Sequence, residues 1–570
     1  MVTKSAETPI ATGQIPTKEA KERWSALQQE RSSWVDHWKE ISEYLLPRSG
    51  RFVTSDRNKG ERRHNNILDS TGTRSLRILA AGLMAGMTSP ARPWFRLTTN
   101  DPELDESAGV KLWLSDVQRL MLMVFSRSNT YRALHSVYEE LGAFGTAANI
   151  VLPDFERVIH NQSLTVGEYA IATDYRGQVN TLYREFEMRV GSLVQEFGLD
   201  AVSPTVRNMW QSRKLDAWVP VLHLIEPRAE RDTSKADSKN MPFRSVYMEI
   251  GANDGSFLRE SGFLRFPALC PRWNAVGGDI YGNSPAMEAL GDIKQLQHEQ
   301  LRKAQGIDYK TRPPLQLPTG AKANMVDTLP GGLSFVDMAG PSSGIRTAFE
   351  VNLDLSHLLG DIQDVRERIS SCFYADLFLM MSNDTRSGIT ATEVAERHEE
   401  KLLMLGPVLE RLHNELLDPL IEMTFDRMVT AGVVPPPPEE LKGRELNVEF
   451  VSMLAQAQRA VATNSVDRYI ANLGAVAQFK PDVLDKFDAD EWADQYADML
   501  GVDPKLIVPG EQVAIVRQQR AEQQAAAQQA AMVQQGADTA RTLSQANTSG
   551  GNALTDITQM FSGYTTPGAQ

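Results

Sequence analysis

Cysteine is almost missing from these 570 residues: only Cys270 and Cys372 occur. Two thiols about a hundred residues apart build neither a disulfide framework nor a thiolate zinc site within one chain. No apolar run approaches the roughly twenty residues that a membrane span needs. The opening MVTKSAETPIATGQ has no apolar stretch behind its lysine and does not read as a signal peptide. Basic charge is in deficit, with 59 Lys and Arg against 73 Asp and Glu and a net charge of −14, a poor balance for wrapping nucleic acid by neutralising phosphates. It does not stop a protein from letting nucleic acid pass. There is no G-x-x-x-x-G-K-[ST] phosphate loop, and Gly331-Gly332 alone is a turn. No H-E-x-x-H occurs; His398 sits beside Glu399 and Glu400 without a second histidine four residues on, which suits a surface or packing residue better than a ligand. Cys372 falls on an apolar helical stripe and reads as a buried thiol, not a nucleophile. The carboxylates form no spaced pair distinguishable from solvated helix faces. These absences favour no enzyme, no cofactor and no metal, and leave an intracellular, soluble chain of several domains.

What is present is mostly helix. Trp24, Leu27, Trp34, Trp38, Ile41 and Leu45 recur at helical spacing up to Pro47. The basic stretch from Arg48 to Asn66 is a solvated loop or a nucleic-acid contact. A second helix is expected over about 70–87, where Gly82 and Gly86 allow close helix approach. Helical pattern returns over about 112–144, and then strands take over. YAIATDYRGQVNTLYREFEM alternates around Asp174–Gly177, and YMEIGANDGSFLRE turns at Asn253-Asp254-Gly255. Residues 145–270 are therefore expected to be mainly antiparallel sheet, with a helical insertion near 187–215. The fold class is α+β, mainly α.

The second half predicts a helix at 284–306, a Pro/Gly-rich excursion from Pro313 to Gly344 with strand-like Leu333–Val336, and one long helix at about 352–381. Leu355, Leu358, Ile362, Val365, Ile369, Cys372 and Phe373 form the stripe of that helix; about thirty residues would span roughly 45 Å. The two helices read as an antiparallel pair carrying a protruding tip. After SNDTRSG (382–388), Thr390 and Glu393 make a capping box, with Ile389 and Val394 as its hydrophobic staple. That helix should run to about Thr430, kinked at Pro407 and Pro419, with Leu402, Leu405, Leu409, Leu412, Leu416 and Leu420 inward. Pro435–Pro438 punctuate the chain, a small helical domain is expected over 445–508, and the last sixty residues read as a fraying Gln/Ala-rich helix and a loose tail.

The run TATEVAERHEEKLLMLGPVLERLHNELLDPLIEMTFDRM, followed by PPPPEEL, closely resembles the portal, or head-to-tail connector, proteins of short-tailed bacteriophages (podoviruses). The segments at 44–52 (YLLPRSGRF), 67–97 (ILDSTGTRSLRILAAGLMAGMTSPARPWFRL), 141–154 (LGAFGTAANIVLPD), 167–188 (GEYAIATDYRGQVNTLYREFEM) and 448–458 (VEFVSMLAQAQ) fit in the same order. The resemblance extends from about residue 20 to about 510. It implies a subunit of a ring, usually of twelve, at a unique capsid vertex, through which double-stranded DNA is packaged and ejected. On that pattern 1–20 is a flexible terminus, 21–280 the wing, 281–308 a stem helix, 309–350 the clip, 351–381 a second stem helix, 382–388 the tunnel loop, 389–432 a long wing helix, 433–510 the crown and 511–570 the tail. Implied partners are further copies of the chain, double-stranded DNA held non-specifically, the terminase large subunit, tail adaptor or nozzle proteins, and the major capsid and scaffolding proteins, with no membrane. The implied location is the virion, after assembly in the host cytoplasm.

A conduit suits the charge. Twelve copies at −14 carry roughly −168, so a phosphate backbone is repelled and not gripped. Expected channel residues are Asn383, Asp384, Thr385, Arg386, Ser387 and Gly388 in the tunnel loop, with Gly388 as its hinge. Lys294, Arg302 and Lys303 on the first stem helix are basic channel candidates or, equally, inter-subunit salt bridges. A helical structural or adaptor protein of the virion that never touches DNA is the rival reading.

Overall fold

The structure is a computed structural model that describes residues 17–53, 66–99, 101, 104, 107–235, 237–252, 257–311, 315–316, 346–347, 356–382, 405–441, 446–450, 469–477, 479–480, 482–483, 487–493, 508 and 510–544. The chain divides into two units, residues 1–478 and 479–570.

In the first unit, α1 (Thr17–Tyr44) serves two cores along its length. Ala20, Trp24 and Leu27 pack on a sheet through Ala170, Tyr183, Leu222, Leu224, Val246 and Met248. A few turns on, Trp38 and Ile41 enter the main core, where the Trp38 indole donates to the Phe144 carbonyl at 3.1 Å. Helix α2 (Thr71–Met87) buries Leu76, Leu79, Ala80, Leu83 and Met87, the three- and four-residue steps of one helical face. The helical stretch expected at 112–144 is two helices, α3 (Ala108–Arg127) and α4 (Thr130–Phe144), parted at Ser128–Asn129, where the backbone turns extended at Ser128. Gly145, left-handed at φ 73, ends α4, and any Cβ there would strike the Gly282 carbonyl.

The sheets are antiparallel. Strands β2 (Ala148–Asp154) and β3 (Val158–Leu164) form a hairpin, with a short later strand, β9 (Ala268–Leu269), on the other edge of β2. Strands β4 (Tyr169–Thr173), β5 (Val179–Arg189), β6 (Trp218–Pro227), β7 (Phe243–Glu249) and β8 (Arg259–Phe263) make a five-stranded meander in chain order. The hairpin read at Asp174–Gly177 joins β4 to β5. The turn read at Asn253–Gly255 falls between the paired β7 and β8, outside the described residues. The helical insertion near 187–215 begins later than expected, because β5 continues to Arg189. It is two short helices, α5 (Val190–Phe197) and α6 (Pro204–Gln211), the latter capped by Ser203 with Pro204 in the first turn.

Helix α7 (Pro285–Thr311) runs one turn beyond the expected end. The long helix expected over 352–381 is interrupted: α8 (Ser356–Cys372) stops, Tyr374 takes a left-handed φ of 54, and α9 (Ala375–Ser382) starts afresh. From residue 405 the expected wing helix is present. Leu405, Leu409, Leu412, Leu416 and Leu420 are all buried, and Leu402 with the capping box lies outside the described residues. A π-helical turn at His413–Leu417 precedes Pro419 in α10 (Asp418–Thr430), so the irregularity expected at that proline takes the form of one wide turn. The tetraproline packs within the first unit, with the Trp113 indole donating to the Pro435 carbonyl at 3.1 Å and Leu441 buried just beyond. The helical stretch expected from 445 opens instead with strand β12 (Leu446–Phe450), which pairs with β1 (Phe95–Thr99) from the far end of the chain. Strand β10 (Leu315–Gln316) pairs with β11 (Arg346–Thr347) between α7 and α8; Leu333–Val336 lie outside the described residues.

In the second unit, α11 (Gly510–Ser544) is the Gln/Ala-rich helix, with Arg517 forked on Asp490.

Candidate functional site

Helices α7 and α8 lie side by side and antiparallel. The Cys372 thiol donates to the Pro285 carbonyl at one end, Arg368 meets Asp292 at 3.2 Å further along, and Leu315 faces Thr347 across the strands beyond. Among the described residues the outgoing and returning chains are therefore paired at 285 with 372, at 292 with 368 and at 315–316 with 346–347. Between them Glu299 stands beside Asp361, and burial together with that second carboxyl raises the Glu299 pKa despite the hydrogen bond from Gln295.

The base of this pair is locked by a polar knot at the start of α2. The buried Asp69 carboxylate accepts from the Thr71 amide and hydroxyl at 2.9 and 2.6 Å, from Gln300 at 3.0 Å and from Arg366 at 2.7 and 3.1 Å. Gln297 accepts the amides of Leu68 and Asp69 through its side-chain oxygen, at 2.7 and 2.8 Å, and donates to the Asp69 carbonyl at 3.0 Å. Burial alone would raise the Asp69 pKa; the Thr71 and Arg366 hydrogen bonds outweigh it and hold the carboxyl below its ordinary value. One carboxylate thus caps α2 and ties it to both helices of the pair. Sequence reasoning missed Asp69 and Gln297. An Asp two residues ahead of a helix start was the available signal for the first, and nothing local marks the second.

Of the basic residues expected to face a channel, Lys294 is engaged within its own chain. Its ammonium is paired with Glu40 on α1 and lies 5.8 Å from the centre of the Tyr44 ring. Arg302 is exposed and Lys303 half-buried, and neither has an ion-pair partner among the described residues. Asn383, Asp384, Thr385, Arg386, Ser387 and Gly388 lie outside the described residues, as does His398.

A cleft of about 720 Å³ opens between the β4–β5 turn, the extended segment 264–272 and the helical stretch 407–423. Leu264 and Arg265 both line it, and from Phe266 on the lining residues 266, 268, 270 and 272 alternate, the period of an extended chain. Its floor is a nearly buried ion pair in which Arg272 grips Glu415 at 2.6 Å and donates to the Gly177 carbonyl at 2.8 Å. Cys270 beneath is buried, and burial pushes its thiol well above the ordinary value; burial also takes the Cys372 thiol up to about 11. Neither is poised as a nucleophile at neutral pH. Among the described residues no group of three or more His, Cys, Asp or Glu side chains could hold a metal ion, and no helix is long and apolar enough to cross a membrane.

The polar groups named above join helix to helix and strand to helix. The family model for bacteriophage head to tail connecting protein matches residues 17–508. The chain is 70% identical over 543 residues to a "probable portal protein" of Bordetella phage BPP-1, covering 95% of this chain and 98% of that protein. It is 46% identical over 532 residues to a portal protein of Salmonella phage epsilon15, covering 93% of this chain and 96% of that one. A portal protein of Enterobacteria phage T3 is 23% identical over 442 residues, 74% of this chain and 76% of that one. The chain belongs to the bacteriophage head-to-tail connecting protein family.

Proposed function

We propose that the chain is a portal subunit: copies of it close into a ring, usually of twelve, at the head–tail junction of the virion, and double-stranded DNA passes through the ring during packaging and ejection. The observation that carries this reading is similarity along nearly the whole chain to portal proteins of two phages, at 70% and 46% identity. The antiparallel α7–α8 pair, locked at its base by Asp69 and extended by the β10–β11 ladder, supports it as a stem leading to a clip. The wing would then hold the two sheets, the clip would meet the terminase large subunit and later the tail adaptor or nozzle proteins, and the wing and crown would meet the capsid and scaffolding proteins. Negative-stain electron microscopy of the purified protein should show closed rings with a central hole. A chain that stays monomeric under all conditions overturns the reading.

In the channel, net negative charge keeps the duplex from being held by counterion release, while isolated cations guide it. Arg302 and Lys303 serve as that guide, with Arg386 in the 382–388 loop. Lys294, paired with Glu40, belongs to the scaffold of the stem. Replacing residues 383–387 with Gly/Ser should leave ring assembly intact and impair DNA packaging or retention; normal DNA-filled heads would sink the loop assignment. The role is structural and not enzymatic: hydrolysis belongs to the motor, and purified rings should show no ATPase activity of their own.

A further inference from the structure

The cleft beside segment 264–272 contains an unfinished sheet edge. Strand β9 is the outer strand of its sheet and is hydrogen-bonded to β2 on one side only. The pairing continues past the strand in both directions. The amides of Trp273, Ala147 and Val151 donate to the carbonyls of Gly145, Pro271 and Pro267, at 2.9, 3.2 and 2.9 Å. Residues 267, 269, 271 and 273 therefore face β2, and the alternation of an antiparallel ladder turns the N–H and C=O groups of 268, 270 and 272 the other way. The Arg272 amide shows what lies on that side: it donates at 2.9 Å to the carboxylate of Glu415, which lines the cleft. The amides of Ala268 and Cys270 have no such acceptor among the described residues, although the two residues are only 6% and 3% exposed. Buried backbone groups are nearly always paired, and an edge left bare in this way is a template for a further strand.

We propose that the cleft takes an extended, acidic peptide segment of a partner protein, which adds to β9 as a further strand. The edge from Phe266 to Arg272 is about 20 Å long at the rise of a strand, room for some six or seven residues. Val179, Phe266 and Met423 line the cleft, with Leu264, 65% exposed, beside them, so alternate apolar side chains of the segment meet an apolar surface. Charge sets the sign of the occupant. Arg265 and Arg272 are already held by Glu422 and Glu415. Arg176 and Arg411 also line the cleft and have no ion-pair partner among the described residues; the carboxylate of Glu410 alone stands unpaired against them there. The balance is positive, and Glu415 on the Arg272 amide is the chain's own example of a carboxylate satisfying this edge. This inference stands whether or not the chain forms a ring around DNA.

The probe is a fluorescein-labelled heptapeptide alternating Val and Asp, with blocked ends, titrated into the full-length protein and read by anisotropy. Saturable binding is expected, weakened at least about tenfold when Lys replaces Asp and about threefold or more in Arg411→Ala. A strand bonds its neighbour through every second residue only. N-methylation of one alternate set of peptide amides should therefore abolish binding, while methylation of the other set leaves it within about twofold. This arm needs no variant of the protein, so a folding defect cannot obscure it. Hydrogen exchange with residue-level fragmentation places the site: the amides of Ala268 and Cys270 should slow by about tenfold or more when the peptide is bound. Absence of binding, equal binding of the Lys peptide, unchanged binding in Arg411→Ala, equal loss from both methylated sets, or unchanged exchange at 268 and 270 each overturns the proposal. So does slowing of those two amides on self-association without peptide, which would assign the edge to a second copy of the chain.

Discussion

Helix α7 and the α8–α9 arm are the two sides of one antiparallel pair, and they solve the same problem differently. Both carry an apolar stripe at helical spacing, and both are bound at the base by Asp69, α7 through Gln297 and Gln300 and α8 through Arg366. Yet α7 runs unbroken for 27 residues while its partner turns at Tyr374. The difference lies in what each meets. α7 packs along its base on α1 and α4, with the Ser284 hydroxyl donating to the Ala143 carbonyl just before it starts. The returning arm meets a glycine, Gly82, that admits a ring sideways. Helix continuity is thus decided by the partner surface and not by local propensity.

That comparison can be broken most strongly in the shared core. Leu296→Ala on α7 and Ile369→Ala on α8 each empty a side chain that is 0% exposed, and each should lower stability by about 2–5 kcal/mol in denaturant unfolding. A much smaller loss for Ile369→Ala would show that the returning arm is only loosely attached. Asp69→Ala removes the acceptor common to both arms and should cost about 2–3 kcal/mol, less than for a wholly buried pair because Arg366 is partly exposed. Because the folded state holds the Asp69 pKa below its ordinary 3.8, its contribution is complete above that value and is lost as pH falls through the folded one. The stability curves of Asp69→Ala and the parent chain should therefore converge as pH falls through the folded value, and curves that stay parallel would remove the charge from the explanation. The smallest effect belongs to Lys294→Met. Its pair with Glu40 is more than a third exposed on both sides, so the loss should stay under about 1 kcal/mol. Arg302→Ala should leave stability unchanged, and in assembled heads it should weaken DNA retention where Lys294→Met does not.

Much of the architecture was legible because periodicity and turn chemistry are local. The stripe from Trp24 to Leu45, the hairpin at Asp174–Gly177 and the leucines from 405 to 420 each announce themselves within about two dozen residues. The antiparallel pairing of two helices around a Pro/Gly-rich excursion followed from their order. What was not legible depends on distant partners. The break at Tyr374 needs Gly82 and Trp273, and the knot at Asp69 needs glutamines some 230 residues further on. Strand β12 needs β1, without which a short apolar run before a helical stretch reads as more helix. Lys294 was read as facing a channel or a neighbouring subunit, because the acid that claims it, Glu40, lies 254 residues earlier.

The ladder between β1 and β12 carries one more consequence, for the order in which the molecule is made. Phe95 faces Phe450 and Thr99 faces Leu446, so the strand leaving α2 waits for more than three hundred further residues before its mate is synthesised. At bacterial elongation rates that wait is tens of seconds, during which a bare strand edge stands open to any passing chain. The ladder therefore closes late, once translation has passed Phe450.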